Sequence, residues 1–174
     1  MNRRSFNHLG LRSLTAGLLL GSVIQARPAK AAPSDSARST APPSQAVLKI
    51  TVYRDPACGC CHKWVNYLEQ QGFQVTDIVR SDMATVKQQH GVPDDLASCH
   101  TAIVEGYVVE GHVPAADIQR LVTERPDIKG IAVPGMPVGS PGMESGDRQD
   151  AFVVVAFGPG RQTTTFNRYG ADQG

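Results

Sequence analysis

Three of the chain's four cysteines stand within four positions, in the stretch "DPACGCCHKW" from Asp55 to Trp64, and a histidine follows them directly. The fourth cysteine, Cys99, is followed by His100. Thiolate sulfur and imidazole nitrogen bind soft metal ions, and closely spaced thiols also carry out disulfide exchange. The cluster therefore predicts sulfur chemistry, either metal binding or thiol redox exchange.

The spacing of the cysteines leaves three interpretations open. Four cysteines in an exported protein could form two disulfides, but three thiols in four positions cannot all pair locally. Cys58 and Cys61 have the two-residue spacer of thioredoxin-like exchange sites, which favours a thiol-disulfide oxidoreductase. Cys60, as a third thiol beside that pair, would reshuffle the disulfide or capture a metal, which favours a metal site.

If the cluster binds metal, its donor atoms point to a soft ion. Clustered thiolates with nearby histidines and methionines select copper(I) or zinc. A mononuclear zinc site would leave Met136 and Met143 without a role, whereas thioether sulfur suits copper(I). Backbone N–H groups at a helix start favour thiolate, so Cys58 and Cys60 are expected to be reactive or metal-ligating.

The segments around the cysteines alternate between strand and helix patterns. Strands are predicted at Val47–Arg54 and Phe73–Val79, and a pair of strands about a Glu-Gly turn within Thr101–Val113. Between the first two, the helical spacing i, i+3, i+4, i+7 predicts a helix with one buried face that ends at Gly72. That face comprises Cys61, Trp64, Val65 and Leu68.

Two further helices complete the predicted core. A short one, capped by Ser81 or Asp82, places Met83, Val86 and His90 on one face, so His90 is expected to be a packed core residue. Pro114 opens the other, with inward positions at Ala115, Ile118, Leu121 and Val122.

The order strand, helix, strand, helix, hairpin, helix, with cysteines at the first strand-to-helix junction, is typical of a thioredoxin-like α/β domain. Two features depart from that pattern: the extra Cys60, and Ser98–Thr101 where thioredoxins place a proline. Residues Pro126–Glu144 form a predicted Pro/Gly-rich loop. The sequence Gly158-Pro159-Gly160 is typical of a turn and predicts a C-terminal hairpin, Ala151–Tyr169, that could extend the sheet.

The N-terminus predicts export. Residues 1–31 have a basic start, an apolar stretch from Leu14 to Ile24 and a small-residue site at Ala29-Lys30-Ala31, as in a cleaved signal peptide. Arg3-Arg4-Ser5-Phe6 resembles the core of a twin-arginine signal, and the general secretory route stays open. Residues 32–46 are rich in Pro, Ser and Ala, which is typical of a flexible linker, so the folded domain is expected at 47–174.

Charge argues against nucleic acid as a partner. The chain has 17 basic and 16 acidic residues, and residues 1–31 contain five of the basic ones and no acid. The remainder therefore carries a formal net charge near −4. No segment after the signal is long and apolar enough to be predicted as a membrane span.

Four separate motifs, in order, resemble the exported CGCC-type copper-resistance proteins of the CopG family: "CGCCHKW", "SCHT", "VEGHVP" and "PGMPVGSPGME". The similarity runs over about Val47–Glu144. It implies a thioredoxin-like fold, a periplasmic location and a multi-copper site whose cysteines bridge copper ions. It also implies a role in copper tolerance, with cycling of copper between two oxidation states and with other periplasmic copper-handling proteins as partners. By position, the implied ligands are Cys58, Cys60, Cys61 and Cys99.

The histidines and methionines are additional candidate ligands. His62 follows the cysteines on the first helical turn, and strand alternation would send His100 to the opposite face from Cys99. His112 stands in the "VEGHVP" motif, where Gly111 permits close backbone approach. Met136 and Met143 lie in the Pro/Gly-rich loop at a separation that serves no helical face, so a ligand or copper-entry role is expected for one of them.

Overall fold

The computed structural model describes residues 47–170. These residues form one mixed sheet of seven strands and three α-helices. The predicted signal peptide, the linker and the last four residues lie outside this range. Two short 3₁₀ turns, Asp94–Leu96 and Pro159–Arg161, interrupt the connections. The elements in chain order are β1 Lys49–Arg54, α1 Gly59–Gln70, β2 Gln74–Val79, α2 Met83–His90, β3 His100–Val104, β4 Tyr107–Glu110, α3 Ala115–Glu124, β5 Gly130–Ala132, β6 Phe152–Phe157 and β7 Thr163–Tyr169.

The strands are ordered β2-β1-β3-β4-β5-β6-β7 across the sheet. β1 runs parallel to β2 and antiparallel to β3, and β4 runs antiparallel to β3 and parallel to β5. The predicted hairpin is present as β6 and β7, and it extends the sheet through antiparallel pairing of β6 with β5. The mixed α/β class predicted from the sequence is thereby confirmed. Within the described range, no helix combines the length and apolarity needed to cross a membrane.

The clustered cysteines lie at the start of helix α1, where one of them caps the helix and another is part of its buried face. Cys58 is the N-cap residue, and its sulfur accepts a hydrogen bond from the N–H of Cys61. The buried residues of α1 are those predicted from the helical spacing. Gly72, with φ +86°, lies just past its end and supplies the left-handed conformation that the turn into β2 requires.

The sheet has a core on each face. On one face, α1 and α3 bury Trp64, Leu68, Ile118 and Leu121 against alternate strand residues such as Val109. On the other face, residues following α2 pack on the intervening strand positions; this smaller cluster contains Val92, Leu96, Val108, Ala132 and Phe157. Both faces of the central strands are therefore buried, and the polar residues of these strands, His100, Thr101 and Glu110, are buried as well.

Two expectations need correction. The stretch Pro126–Glu144, predicted as a loop throughout, contains strand β5, whose three residues pair with β4 and β6 and so join the hairpin to the rest of the sheet. So short a strand gives no periodic signal. His90 is half-buried at the end of α2 and lies against Tyr53, with ring centroids 5.4 Å apart, so it is not a core residue.

The hairpin is also tied to α3 by polar contacts. Asp117, 2 % exposed, accepts hydrogen bonds from Tyr169 Oη at 2.7 Å and from Asn167 Nδ2 at 2.9 Å. Arg120 donates to the carbonyl of Phe166 at 2.7 Å and lies over its ring. Strand β7 therefore anchors the helix that follows the "VEGHVP" segment.

Candidate metal centre

The cysteine cluster lies where β1 passes into α1. Asp55 accepts a hydrogen bond from Ala57 N, which shapes the turn before the helix. Cys58 and Cys61 are joined by a disulfide, and Cys58 Sγ lies 3.5 Å from Cys60 Sγ. Cys60 and Cys99 are free thiols, so the pattern of two disulfides is not formed. The thiol pair with the two-residue spacer is the pair that is oxidised.

Sheet register brings the distant Cys99 to this cluster. Strand β3 runs antiparallel to β1 with His100 paired to Arg54, so β3 begins at the end of the sheet where β1 stops. The residue before β3 is Cys99. As a result, the ligand atoms of Cys58, Cys60, Cys61 and Cys99 all lie within 4.8 Å of one another.

His112 is oriented toward Cys99 by a hydrogen bond on the far side of its ring. Its Nδ1 lies 2.8 Å from the carbonyl oxygen of Pro141, and because a carbonyl only accepts, Nδ1 carries the proton. The lone pair of Nε2 then faces Cys99 Sγ at 3.1 Å. Metal-binding histidines are commonly held by such a second hydrogen bond.

His100 lies on the same side as Cys99, and the expectation from strand alternation is wrong. Its Nδ1 is 3.4 Å from Cys99 Sγ, because Cys99 lies in the bend before β3 and does not follow the pleat of the strand. The ring is fully buried beside Trp64, with centroids 4.3 Å apart, and its Nε2 has no hydrogen-bond partner among the described residues. Cys99, His100 and His112 thus form a second group with ligand atoms within 4.8 Å.

Burial keeps this cluster uncharged. Burial, reinforced by the nearby Cys60, raises the pKa of the Cys99 thiol to about 12. Burial lowers the pKa of His112 and takes that of His100 well below its usual range. At neutral pH the thiol is protonated and both imidazoles are neutral. A metal that binds here therefore displaces the thiol proton, whereas the imidazoles can bind it without losing a proton.

The Pro/Gly-rich loop after β5 covers the start of α1. A side chain at Gly142, whose φ is +84°, would meet Trp64 N at 2.9 Å and Cys60 O at 3.1 Å, so only glycine lets the loop lie this close. The preceding Pro141 holds His112. Met136 is 55 % exposed, and Met143 is half-buried directly after Gly142.

His62 is a candidate ligand that the described part of the fold does not bring to the cluster. Its side chain is exposed on α1 and belongs to neither group of converging ligand atoms. The first helical turn therefore presents Cys61 inward and His62 outward, as expected for consecutive helix positions.

Sequence reasoning missed a buried carboxylate beside the centre. Glu110 at the end of β4 is fully buried and contacts Lys87, Ser98 and Thr101. Burial raises its pKa, and the charge of Lys87 with the hydrogen bonds from Lys87, Thr101 and Ser98 opposes the shift. A glutamate at a strand end is ordinarily exposed, and here Lys87 of α2 covers it. Lys87 and Glu110 are far apart in the sequence, so no local pattern predicts that they pair.

The arrangement offers two overlapping chemistries. With the disulfide reduced, four thiols converge and the two imidazoles lie beside Cys99, and thiolate sulfur can hold soft metal ions. With the disulfide formed, Cys60, Cys99 and the two histidines remain. Cys99 belongs to both groups of ligand atoms.

Comparisons with known proteins agree with the motifs. Residues 96–143 match a family described as a protein of unknown function, DUF411. Two solved structures, titled copper resistance protein copG form 2 and form 1, are each 55% identical to this chain, cover 71% of it and 98% of their own length, and superpose with a TM-score of 0.68. The comparison with curated proteins returned no match. On the identity and coverage of the solved structures, the chain belongs to the CopG family of copper-resistance proteins.

Proposed function

We propose that the protein is a periplasmic copper-binding protein that contributes to copper tolerance. It holds more than one copper(I) ion in a site bridged by cysteines. The observation that carries the proposal is the convergence of four cysteine sulfurs within 4.8 Å, from two segments distant in sequence. Membership of a copper-resistance family supports copper as the metal.

The donor set suits copper(I) better than hard cations. Cysteine sulfur and neutral imidazole are soft or intermediate ligands, and the buried carboxylate of Glu110 is bound to Lys87. We assign Cys58, Cys60, Cys61 and Cys99 as the main ligands, with His100 and His112 completing the site. His62 faces solvent. The exposed thioether of Met136 would receive or hand over copper at the surface, where other periplasmic copper-handling proteins would dock.

A thioredoxin-like core and export belong to the same proposal. The strand order β2-β1-β3-β4, with a Cys-x-x-Cys at the first strand-to-helix junction, supports the thioredoxin-like assignment. The sequence of residues 1–31 supports a signal peptide and hence the periplasm.

Redox cycling would use the Cys58 and Cys61 dithiol. Its oxidation to a disulfide releases two electrons and two protons, which would reduce two copper(II) ions to two copper(I) ions. A periplasmic dithiol reductant would then return the disulfide to two thiols. The disulfide between Cys58 and Cys61 supports the choice of this pair as the dithiol.

Titration of the reduced, mature protein with copper(I) against a competing chelator tests the main proposal. We expect saturation above one equivalent per chain, because bridging sulfur can hold several ions. A one-to-one endpoint, or preferential binding of zinc, would contradict the multi-copper site.

A thiol-disulfide oxidoreductase is the second candidate, favoured by the disulfide at the N-terminus of α1 and by the Cys61 N–H that contacts Cys58 Sγ at 3.3 Å. Cys60→Ala separates the two functions because Cys60 lies outside the Cys58–Cys61 pair. For a copper binder, we expect lower copper capacity and lower copper tolerance in cells. Unchanged tolerance with unchanged turnover in a disulfide-reduction assay would favour the oxidoreductase.

A further inference from the structure

The carboxylate of Glu110 is bound on both oxygens by groups from three segments. Oε1 accepts from the backbone N–H of Ser98 and from Lys87 Nζ, each at 2.6 Å. Oε2 accepts from Thr101 Oγ1 at 2.7 Å, and Lys87 Nζ also donates to Thr101 Oγ1 at 3.2 Å. Helix α2, the segment before β3 and strand β4 are thereby joined at one side chain.

These contacts bracket the ligands of the metal centre. Ser98 and Thr101 flank Cys99 and His100 in the chain, and Glu110 pairs with Thr101 in the sheet. Two residues after Glu110, the same chain segment carries His112. The contact of 3.1 Å between Cys99 Sγ and His112 Nε2 therefore depends on how β4 and the Ser98–Thr101 segment are joined.

Stability alone does not explain the buried ion pair of Lys87 and Glu110. Glu110 is fully buried and Lys87 is 16 % exposed, so both lose most of their hydration. Buried ion pairs are often no more stabilising than well-packed apolar residues, and their best-attested role is to fix one arrangement among alternatives. A carboxylate can accept from a backbone N–H, a hydroxyl and an ammonium at once, which apolar residues cannot.

We propose that Glu110, held by Lys87, is a positioning residue of the metal centre that fixes the Cys99 segment relative to His112. Neither side chain binds the metal itself. The inference rests on the proposed copper function, and it adds a structural requirement that the cysteine motif does not contain.

The test compares Glu110→Gln with Asp117→Asn in the full mature chain. Asp117 is the matched control, because it is also a buried carboxylate that accepts two hydrogen bonds, but from the C-terminal hairpin. Copper(I) affinity is measured by competition with a chelator, and folding by thermal unfolding. We expect Glu110→Gln to weaken copper(I) binding by about 10–100-fold, the usual effect of losing a partner that orients a ligand. Asp117→Asn should bind as the parent does.

A second readout needs no copper. In a Cys60→Ser background with the disulfide intact, Cys99 is the remaining free thiol, and its alkylation rate reports how firmly its segment is held. We expect faster alkylation in Glu110→Gln and an unchanged rate in Asp117→Asn. If the parent binds no copper, the proposed function fails, and this rate alone decides the positioning role.

Two results would overturn the positioning role: a folded Glu110→Gln with parental affinity and parental alkylation rate, or equal losses in both carboxylate variants. If Glu110→Gln does not fold, Thr101→Val takes its place, because it removes the hydrogen bond to Glu110 Oε2 and leaves the ion pair with Lys87 intact. The same criteria then apply, with smaller effects of the same sign expected.

Discussion

Cys99 is the residue on which both groups of ligand atoms depend. We expect Cys99→Ser to lower the number of copper(I) ions bound and to weaken the remaining binding by more than about 10-fold, since losing a ligand should cost at least as much as losing an outer partner. Serine keeps the size of the half-buried side chain, so thermal unfolding should change little. Parental copper binding by this variant, measured by chelator competition, would show that Cys99 is a structural thiol.

The buried histidines predict a loss of stability in acid. His100 is fully buried, and burial lowers its pKa well below 6.5. As the pH falls through 6.5, this histidine therefore binds a proton in the unfolded chain but stays neutral in the folded chain. One such histidine lowers the free energy of unfolding by up to about 1.4 kcal/mol per pH unit below that value.

His100→Phe should therefore reduce the acid sensitivity while keeping a ring against Trp64. Urea unfolding of the metal-free, oxidised protein at pH 7.5 and at pH 5 measures the effect. The parent should lose more stability between these pH values than the variant, by on the order of 1–2 kcal/mol. His62→Gln, which changes an exposed histidine, should follow the parent. Identical pH dependence in His100→Phe and the parent would contradict the assignment of His100 as a neutral buried group.

At the scale of elements, the loop after β5 can lie against the start of α1 because residue 142 is a glycine. Gly142→Ala places a methyl group within 2.9 Å of Trp64 N and also imposes a left-handed conformation on alanine. Gly146→Ala imposes the same kind of conformation, φ +57°, but meets nothing within 4 Å. The difference between the two variants isolates the contact between the loop and α1.

We expect Gly142→Ala to be less stable than Gly146→Ala by on the order of 1–3 kcal/mol, the usual cost of overpacking. It should also weaken copper(I) binding, because the displaced loop carries the Pro141 carbonyl that orients His112. Urea unfolding and chelator competition measure the two effects. Equal stability of the variants would mean that the loop moves away from α1 without cost.

At the scale of the whole molecule, β5 and the hairpin make the metal centre part of a seven-stranded sheet. Tyr169→Phe removes the donor at 2.7 Å from the buried Asp117 and leaves that carboxylate with Asn167. We expect a loss of about 1–3 kcal/mol in the free energy of unfolding. Copper(I) binding should stay parental, because Asp117 lies on α3 and contacts none of the ligand residues by hydrogen bonds in the described range.

Tyr53→Phe is the matched control, since the Tyr53 hydroxyl makes no hydrogen bond within residues 47–170 and its ring contacts His90. It should unfold close to the parent. Unchanged stability of Tyr169→Phe would show that apolar contacts, Asn167 and Arg120 are enough to hold the hairpin to α3.

The features that depend on neighbouring residues could be predicted from the sequence by itself. These are the helix that starts at the cysteines, its buried face, the turn between β3 and β4 and the hairpin. Each follows from local spacing, capping or turn residues, as with Cys61, Trp64 and Gly72. The sulfur chemistry was equally local, because three of its thiols lie within four positions.

The tertiary structure decided which distant groups meet. Pairing of His100 with Arg54 places Cys99 at the cluster, and the bend before β3 turns His100 to the same side, against the expectation from alternation. The burial of Glu110 requires α2, and the strand β5 requires β4 and β6 as neighbours. The physical reason is that register and burial are set by pairing between segments far apart in the chain, which no local pattern records.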